Sequence, residues 1–173
     1  MKMGNTVVMK TKTAADILRQ YKTGYRDFKG VVVTDGNLSN HRLSNAVFEG
    51  ATLTGCSFEG SILTGSNLSA ANLRGVKMRR ANLSRADLRG ADLRGAVMRA
   101  VNLTKADLRW ANLEGVDLSG AVISGANFDG ANLKNANLRK TDPGKWWWKA
   151  NLQEAKLENT ILPDGTVFHA APE

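Results

Sequence analysis

The chain has 173 residues, a net charge of +8 and a pI near 9.9, which fits one domain and favours acidic partners. A single cysteine, Cys56, excludes an internal disulfide. No run of ~18 apolar residues is present to form a membrane-spanning helix.

Residues 1–12 read as a flexible basic tail carrying Lys2, Lys10 and Lys12. Val7-Val8-Met9 is too short for the apolar region of a secretion signal, so the expected location is cytoplasmic. Residues 13–24 change pattern. Thr13 is placed to cap a helix with Asp16 in its first turn, Ile17, Leu18 and Tyr21 share one face, and Gly24 ends it. A lone helix of two to three turns is marginal in water. It is expected to lie over the lower end of the next segment, covering Phe28 and Val33.

That segment has a period of five. From Phe28 every fifth residue is large and apolar: Phe28, Val33, Leu38, Leu43, Phe48, Leu53, Phe58, Leu63, Leu68, Leu73, Met78, Leu83, Leu88, Leu93, Met98, Leu103, Leu108, Leu113, Leu118, Ile123, Phe128, Leu133 and Leu138. The residue two before each is mostly small, as in Ala71, Ala81, Ala86 and Ala91, and Asn or Asp commonly lies between. A helix would spiral these residues around its axis and a strand would alternate them between faces, so neither buries them. A coil that turns a corner once per five residues does, with about 20 residues per turn and each coil buried against its neighbours. Gly follows two places after the central residue in 12 of the 23 units, as suits a corner with positive φ. Arg80, Arg85, Ala100, Lys105 and Trp110 take that slot without Gly, and their corners are expected to need no positive φ.

The first coil is irregular, with Arg26, Val31, Gly36 and His41 in the small inward slot. Its sides are expected to be distorted there, with Arg26 and His41 turned to solvent or a polar partner, since burying either unpaired is costly. Cys56 in the same slot reads as core filler. His41 has no Cys, His or carboxylate neighbour at ligand spacing. No catalytic set, phosphate loop, metal cluster or cofactor site is legible, and the chain is expected not to be an enzyme.

Runs such as Ala81-Asn82-Leu83-Ser84-Arg85, Ala86-Asp87-Leu88-Arg89-Gly90 and Ala91-Asp92-Leu93-Arg94-Gly95 resemble the signature of the pentapeptide repeat family. The resemblance covers about two thirds of the chain. It implies an all-β fold, a right-handed quadrilateral β-helix, here with a short N-terminal capping helix. The order of Ile17-Leu18-Arg19-Gln20-Tyr21 before Arg26-Asp27-Phe28, and the ending Leu162-Pro163-Asp164-Gly165, are similar to cyanobacterial members. Fold alone does not give function.

Outward residues twenty apart should stack at strand spacing, roughly 4.8 Å. Ser44, Thr64, Ser84, Thr104 and Ser124 form one neutral hydroxyl column, whereas Arg74 lies under Arg94, Arg79 under Arg99 and Arg89 under Arg109. Between Arg74 and Arg109 ten basic residues face three acidic ones, Asp87, Asp92 and Asp107. This girdle has two readings. Arg89, Arg94 and Arg109 could simply pair with those aspartates, each exposed pair contributing only ~0 to 1 kcal/mol. Alternatively, stacked like charges repel, and an anionic partner would relieve the repulsion. An acidic protein fits better than nucleic acid, because the girdle lacks interleaved aromatics and has no helix to enter a groove.

After Leu138 the register breaks. The next clear unit is Ala150-Asn151-Leu152, which implies nine inserted residues, with a turn signal at Thr141-Asp142-Pro143-Gly144 and then Lys145-Trp146-Trp147-Trp148-Lys149. Trp146, Trp147 and Trp148 have three roles open to them: packing on the wall, an exposed anchor for a partner, or a bilayer contact. Leu152, Leu157 and Leu162 resume the repeat; Val167 and Phe168 are expected to cover the last coil, with His169 at the surface. The resulting division is a tail at 1–12, a capping helix at 13–24, a solenoid at 25–162 with a loop at about 140–149, and a C-terminal cap at 163–173.

The expected function is a non-enzymatic protein-interaction or regulatory scaffold, a monomer that presents Arg74, Arg79, Arg89, Arg94, Arg99 and Arg109 and the Trp loop to an acidic protein. The resemblance extends this to a cyanobacterial regulatory role, since some members act on regulators of cell differentiation. Nucleic-acid binding through the girdle is the alternative. The resemblance also brings in the DNA-mimicking gyrase inhibitors, but those are acidic along their length and this surface is basic. No membrane partner, metal or cofactor is expected.

Overall fold

A computed structural model describes residues 10–142 and 154–169. Strand β1 (Lys10–Thr11) leads into helix α1 (Ala14–Lys22), followed by β2 (Val31–Val32), a long run of five-residue units, and a terminal hairpin of β3 (Thr160–Ile161) and β4 (Val167–Phe168). The units bridge in parallel at an interval of twenty residues, as in Asp27 to Val47, Val47 to Asn67, Asn67 to Asp87 and Asp87 to Asp107. Four units therefore complete one coil. Each bridge is a single residue because a corner intervenes before a second pair can form.

The backbone explains the period. The N–H of Leu88 donates to Asp107 in the coil above at 2.7 Å, that of Asp87 to Ser66 in the coil below at 2.9 Å, and that of Ala91 back across the corner to Leu88 at 3.1 Å. The recurring Asn or Asp has a local task. Its carboxyl or amide oxygen accepts the N–H two residues on, as in Asn82 to Ser84 at 3.0 Å, Asp87 to Arg89 at 3.1 Å and Asn102 to Thr104 at 2.9 Å. This side-chain turn satisfies a donor the corner leaves unpaired.

The core is a set of inward columns. Leu53, Phe58, Leu68, Leu73, Leu83, Leu88, Leu93, Leu103, Leu108 and Leu113 are all fully buried, with Ala71, Ala81, Ala86 and Ala91 beside them. Four faces follow, named by their central residues: face one holds Phe28 to Phe128, face two Val33 to Leu133, face three Leu38 to Leu138 and face four Leu43 to Ile123. Cys56 is buried, and its thiol donates to the Val33 carbonyl at 3.2 Å. Burial pushes the Cys56 thiol above its ordinary range, which leaves it inert.

The corners differ from the sequence expectation. Arg80, Arg85, Ala100, Lys105 and Trp110 have φ of 57°, 58°, 53°, 59° and 58°, just as Gly90 has 63° and Gly95 65°. Every corner among the described residues of the repeat uses a positive φ, because the ladder above and below fixes where the chain must go and a second turn type would shift the register.

At the lower end, Thr13 caps α1 in a reciprocal box with Asp16 and Ile17 is fully buried, with Leu18 and Tyr21 packed against the core. Phe28 stacks under Phe48 at 5.2 Å and Tyr25 meets Phe28 edge-on at 5.3 Å. The sequence places residues 10–12 in a loose tail; instead β1 pairs in parallel with β2, Lys10 opposite Val31 and Thr11 opposite Val32. This covers part of the otherwise open lower strand edge.

The first coil keeps its ladder, contrary to the expected distortion, with bridges at Asp27, Val32, Asn37 and Arg42. Its polar inward residues swing out without moving the backbone, since no coil encloses them from below. Arg26 donates to the Tyr21 and Tyr25 carbonyls at 2.8 and 2.9 Å and lies 3.6 Å over the Tyr21 ring. His41 Nδ1 sits 2.6 Å from the Ser39 carbonyl.

At the upper end Thr141 is buried in the small slot and Asp142 bridges to Val122, so the repeat continues past Leu138. Asn132 and Asn137 then bridge to Lys156 and Ile161, an offset of 24. The insertion is therefore four residues, not nine, because the apparent turn at Thr141-Asp142 begins another unit. Trp146, Trp147 and Trp148 lie outside the described residues, as do 1–9 and 170–173. Strand β4 pairs antiparallel with β3, Thr160 opposite Phe168. It closes that edge with backbone, while Val167 and Phe168 remain 44% and 40% exposed instead of covering the coil. His169 is exposed.

Candidate interaction surface

The girdle separates into two parts. On faces one and two the arginines are paired: Arg89 with Asp87 at 2.7 Å, Arg94 with Asp92 at 2.6 Å and Arg109 with Asp107 at 2.6 Å. The same carboxylates also bridge coils, since Arg74 reaches Asp92 at 3.3 Å and Arg89 approaches Asp107 at 3.8 Å. On face three Arg99 binds Asp117 at 2.8 Å. Hydrogen bonds from Arg89 and Arg94 hold Asp87 and Asp92 below the ordinary carboxylate range. Burial acts to raise Asp107, but the bonds from Arg109 prevail and it too is lowered. Each of the arginines the sequence singles out except Arg79 thus meets a carboxylate: Arg89, Arg94 and Arg109 the aspartate two residues before, and Arg74 and Arg99 one in the coil above.

Elsewhere on face three and at the corners of face four the arrangement is different. Lys77, Arg79 and Arg139 on face three, and Arg80, Arg85, Lys105 and Lys140 at the corners, are exposed and form no ion pair among the described residues. Arg80 and Lys140 stand on the corner between faces three and four, and Arg85 and Lys105 on the corner between faces four and one. Between these edges runs the neutral column of Ser44, Thr64, Ser84, Thr104 and Ser124, with Thr64 and Ser84 hydroxyls 3.4 Å apart. In the column beside it Ile62, Asn82, Asn102 and Val122 are half-buried, with exposed Arg42 below them and exposed Asp142 above. The result is a strip that is neutral in its middle coils and framed there by cations.

These corner cations carry a conformational penalty. An L residue held in the left-handed region is disfavoured by roughly 1 to 2 kcal/mol relative to glycine, and Arg80, Arg85, Lys105 and Lys140 sit there at φ of 57° to 59°. Of the six arginines the sequence singles out, only Arg79 has no ion-pair partner among the described residues. Arg80, Arg85 and Lys105 were legible as breaks in the glycine slot, whereas Lys140 is placed in the inserted loop by the sequence and on a corner, at φ 57°, by the structure.

Trp110 also occupies a corner that glycine would fill, but away from this strip. It is 61% exposed at φ 58°, on the corner between faces one and two. Arg109 lies 5.4 Å from its ring centroid.

Among the described residues no group of three His, Cys, Asp or Glu could hold a metal ion, and no helix is long and apolar enough to cross a membrane.

Comparison with known proteins gives a family. The model for pentapeptide repeats matches in eight copies, through overlapping segments 27–65, 41–80, 66–104, 81–120 and 102–139. Among solved structures the chain is similar to a pentapeptide repeat protein of the Arabidopsis thaliana thylakoid lumen, at 33% identity over 56% of this chain and 63% of that one, with a TM-score of 0.42. The chain thus spans less than two thirds of that protein. It is also similar to HetL, a pentapeptide repeat protein involved in heterocyst differentiation regulation from the cyanobacterium Nostoc, at 24% identity over 91% of this chain and 100% of that one, TM-score 0.33. QnrB1, a plasmid-mediated fluoroquinolone resistance protein, is 16% identical over 87% of this chain and 90% of that one, TM-score 0.43. No curated protein sequence matches. The repeat model spans well over half of the sequence, and the chain belongs to the pentapeptide repeat family.

Proposed function

We propose that this protein is a non-enzymatic interaction scaffold of the cytoplasm, a monomeric rod with the right-handed quadrilateral coil its family implies, which presents face four to an acidic protein and regulates it. One observation carries the reading. Arg80, Arg85, Lys105 and Lys140 occupy corners that glycine would fill at lower conformational cost, and they frame one strip on both edges. A long cation at a strained position without an internal partner is a feature that stability does not explain. Charge at such a rim steers association and fixes register more than it adds affinity. By composition, Trp146, Trp147 and Trp148 supply aromatic anchors of the kind that dominate binding hot spots.

The test is affinity capture from the source organism's extract with the parent chain and with the variant Arg80→Gly, Arg85→Gly, Lys105→Gly, Lys140→Gly. The variant should melt no lower than the parent and lose the captured protein. Retention of the same protein would overturn the reading. Capture of nucleic acid in place of protein, with affinity falling steeply as salt rises, would replace it with the nucleic-acid alternative.

A further inference from the structure

The turn positions of face three run Glu59, Arg79, Arg99, Ser119, Arg139, and the adjoining corner runs Arg80, Ala100, Gly120, Lys140. At one coil both columns hold short residues, Ser119 and Gly120. A cleft of about 380 Å³ opens there, lined by Arg99, Ser119, Gly120, Asn137, Arg139 and Lys140.

The floor is ordinary ladder: Ala100 N–H donates to the Ser119 carbonyl and Gly120 N–H to the Arg139 carbonyl, both at 2.9 Å. Any ligand must therefore be held by side chains. Arg99 forms the lower lip, fixed through Nε by Asp117 at 2.8 Å and Ser119 Oγ at 3.3 Å, and its two terminal nitrogens make no hydrogen bond among the described residues. Asp117 also accepts from Ser119 N–H at 3.0 Å and Asn137 Nδ2 at 3.4 Å. Its oxygens are thus engaged in positioning Arg99. The upper lip is Arg139, which passes beside Gly165, where an added Cβ would lie 3.4 Å from Nε, together with Lys140. Neither upper cation has an ion-pair partner among the described residues.

The lining itself holds three cations and no carboxylate, and the carboxylate that pairs with one of them is Asp117. The lips are two coils apart, roughly 10 Å between backbones, a span two arginines can close on one small group. A carboxylate offers one charge and two acceptor oxygens. A phosphate monoester offers a charge of about −1.5 to −2 and three acceptors, and arginine forks suit it.

We propose that this cleft is a binding site for a phosphate monoester, held by Arg99, Arg139 and Lys140 with the Ser119 hydroxyl as a further donor. The site stands apart from the acidic-protein reading and shares only Lys140 with it.

The experiment is calorimetric titration of the full chain at ~0.15 M salt with inorganic phosphate, a phosphoserine peptide and the same peptide carrying glutamate. The phosphoserine peptide should bind about tenfold or more tighter than the glutamate one. Ser119→Arg adds a positive charge but fills the notch, and the turn position accepts Arg at 79, 99 and 139. Its affinity for phosphoserine should fall by about tenfold, as should that of Arg139→Gln, while Arg79→Gln on the same face should leave it unchanged. Equal affinity for inorganic phosphate and phosphopeptide would assign the site to a free phosphate ligand, and much tighter phosphopeptide binding to a phosphorylated protein. Tighter binding by Ser119→Arg, or no phosphate binding by the parent, would overturn the proposal. Arg80→Gly with Arg85→Gly and Lys105→Gly should leave phosphate binding intact even if protein capture is lost, so the two readings fail separately.

Discussion

The ring of Trp110 lies over Gly130 in the coil above, where an added Cβ would fall 2.6 Å from Cδ1 and 2.9 Å from Nε1 of the indole. The tryptophan therefore needs a glycine above it and itself occupies a corner that glycine would fill without strain, at φ 58°. Trp110→Gly removes that strain and gives up only a largely exposed ring. Its denaturation midpoint should match the parent or rise by up to about 1 kcal/mol in stability. A clear fall would mean that the contact with Gly130 outweighs the strain and that the ring is structural.

The core columns make a sharper contrast. Leu88 is fully buried, whereas Ser84 lies on the hydroxyl column. Leu88→Asp should be among the most damaging single changes, destabilising by more than about 4 kcal/mol, because it places a charge between coils. Ser84→Asp should fall within about 0.5 kcal/mol of the parent. Thermal melts of the two decide it, and equal losses would refute the inward and outward assignment.

Gly36 controls how α1 closes the lower end. A Cβ there would meet Val33 Cγ1 at 2.7 Å and Ala14 Cβ at 3.2 Å. Val33 is β-branched and enclosed, so it cannot turn aside. Gly36→Ala should lift α1 from the first coil and destabilise by about 1 to 3 kcal/mol, with faster amide exchange across Ala14–Lys22 as the direct readout. Unchanged exchange would show that the helix does not depend on this close approach.

Acid should weaken the girdle. Asp87, Asp92 and Asp107 all have their pKa lowered in the folded chain, so their contribution is complete above the ordinary aspartate value of ~3.9 and is lost as pH falls through the lower folded values. The melting temperature should therefore change little on this account from pH 7 to 5 and drop below pH ~4. Replacing all three by Asn keeps the local turn acceptor, as Asn82 and Asn102 show, and removes the charge. That variant should lose stability less steeply in acid than the parent; an unchanged acid limb would show that these pairs contribute nothing.

Most of the coil was legible because its rule is local. An apolar residue every fifth position, a small one two before it and an Asn or Asp between them specify one side and one corner, and the twenty-residue bridges follow from stacking four such units. The helix was legible for the same reason, since Thr13, Asp16 and Ile17 lie within five residues of one another. The candidate surface was legible only as composition. Arg74 and Arg79 look alike in sequence, yet Arg74 meets Asp92 from the coil above, and Arg79 has no ion-pair partner among the described residues.

The sequence by itself determined which residues face inward, how many make a coil, and that the middle of the rod is basic. The pairs Arg89–Asp87, Arg94–Asp92 and Arg109–Asp107 are local and already open to the sequence. Only the tertiary structure decided that Arg74 and Arg99 are neutralised too, because each depends on a carboxylate in the next coil coming within about 4 Å. It alone fixed the corners as well: the ladder on either side imposes a positive φ on arginine, lysine and tryptophan that their own preferences oppose. The short step at Ser119 and Gly120 becomes a cleft for a related reason, since its lips, Arg99 and Arg139, are forty residues apart in sequence and are brought together only by the coiling.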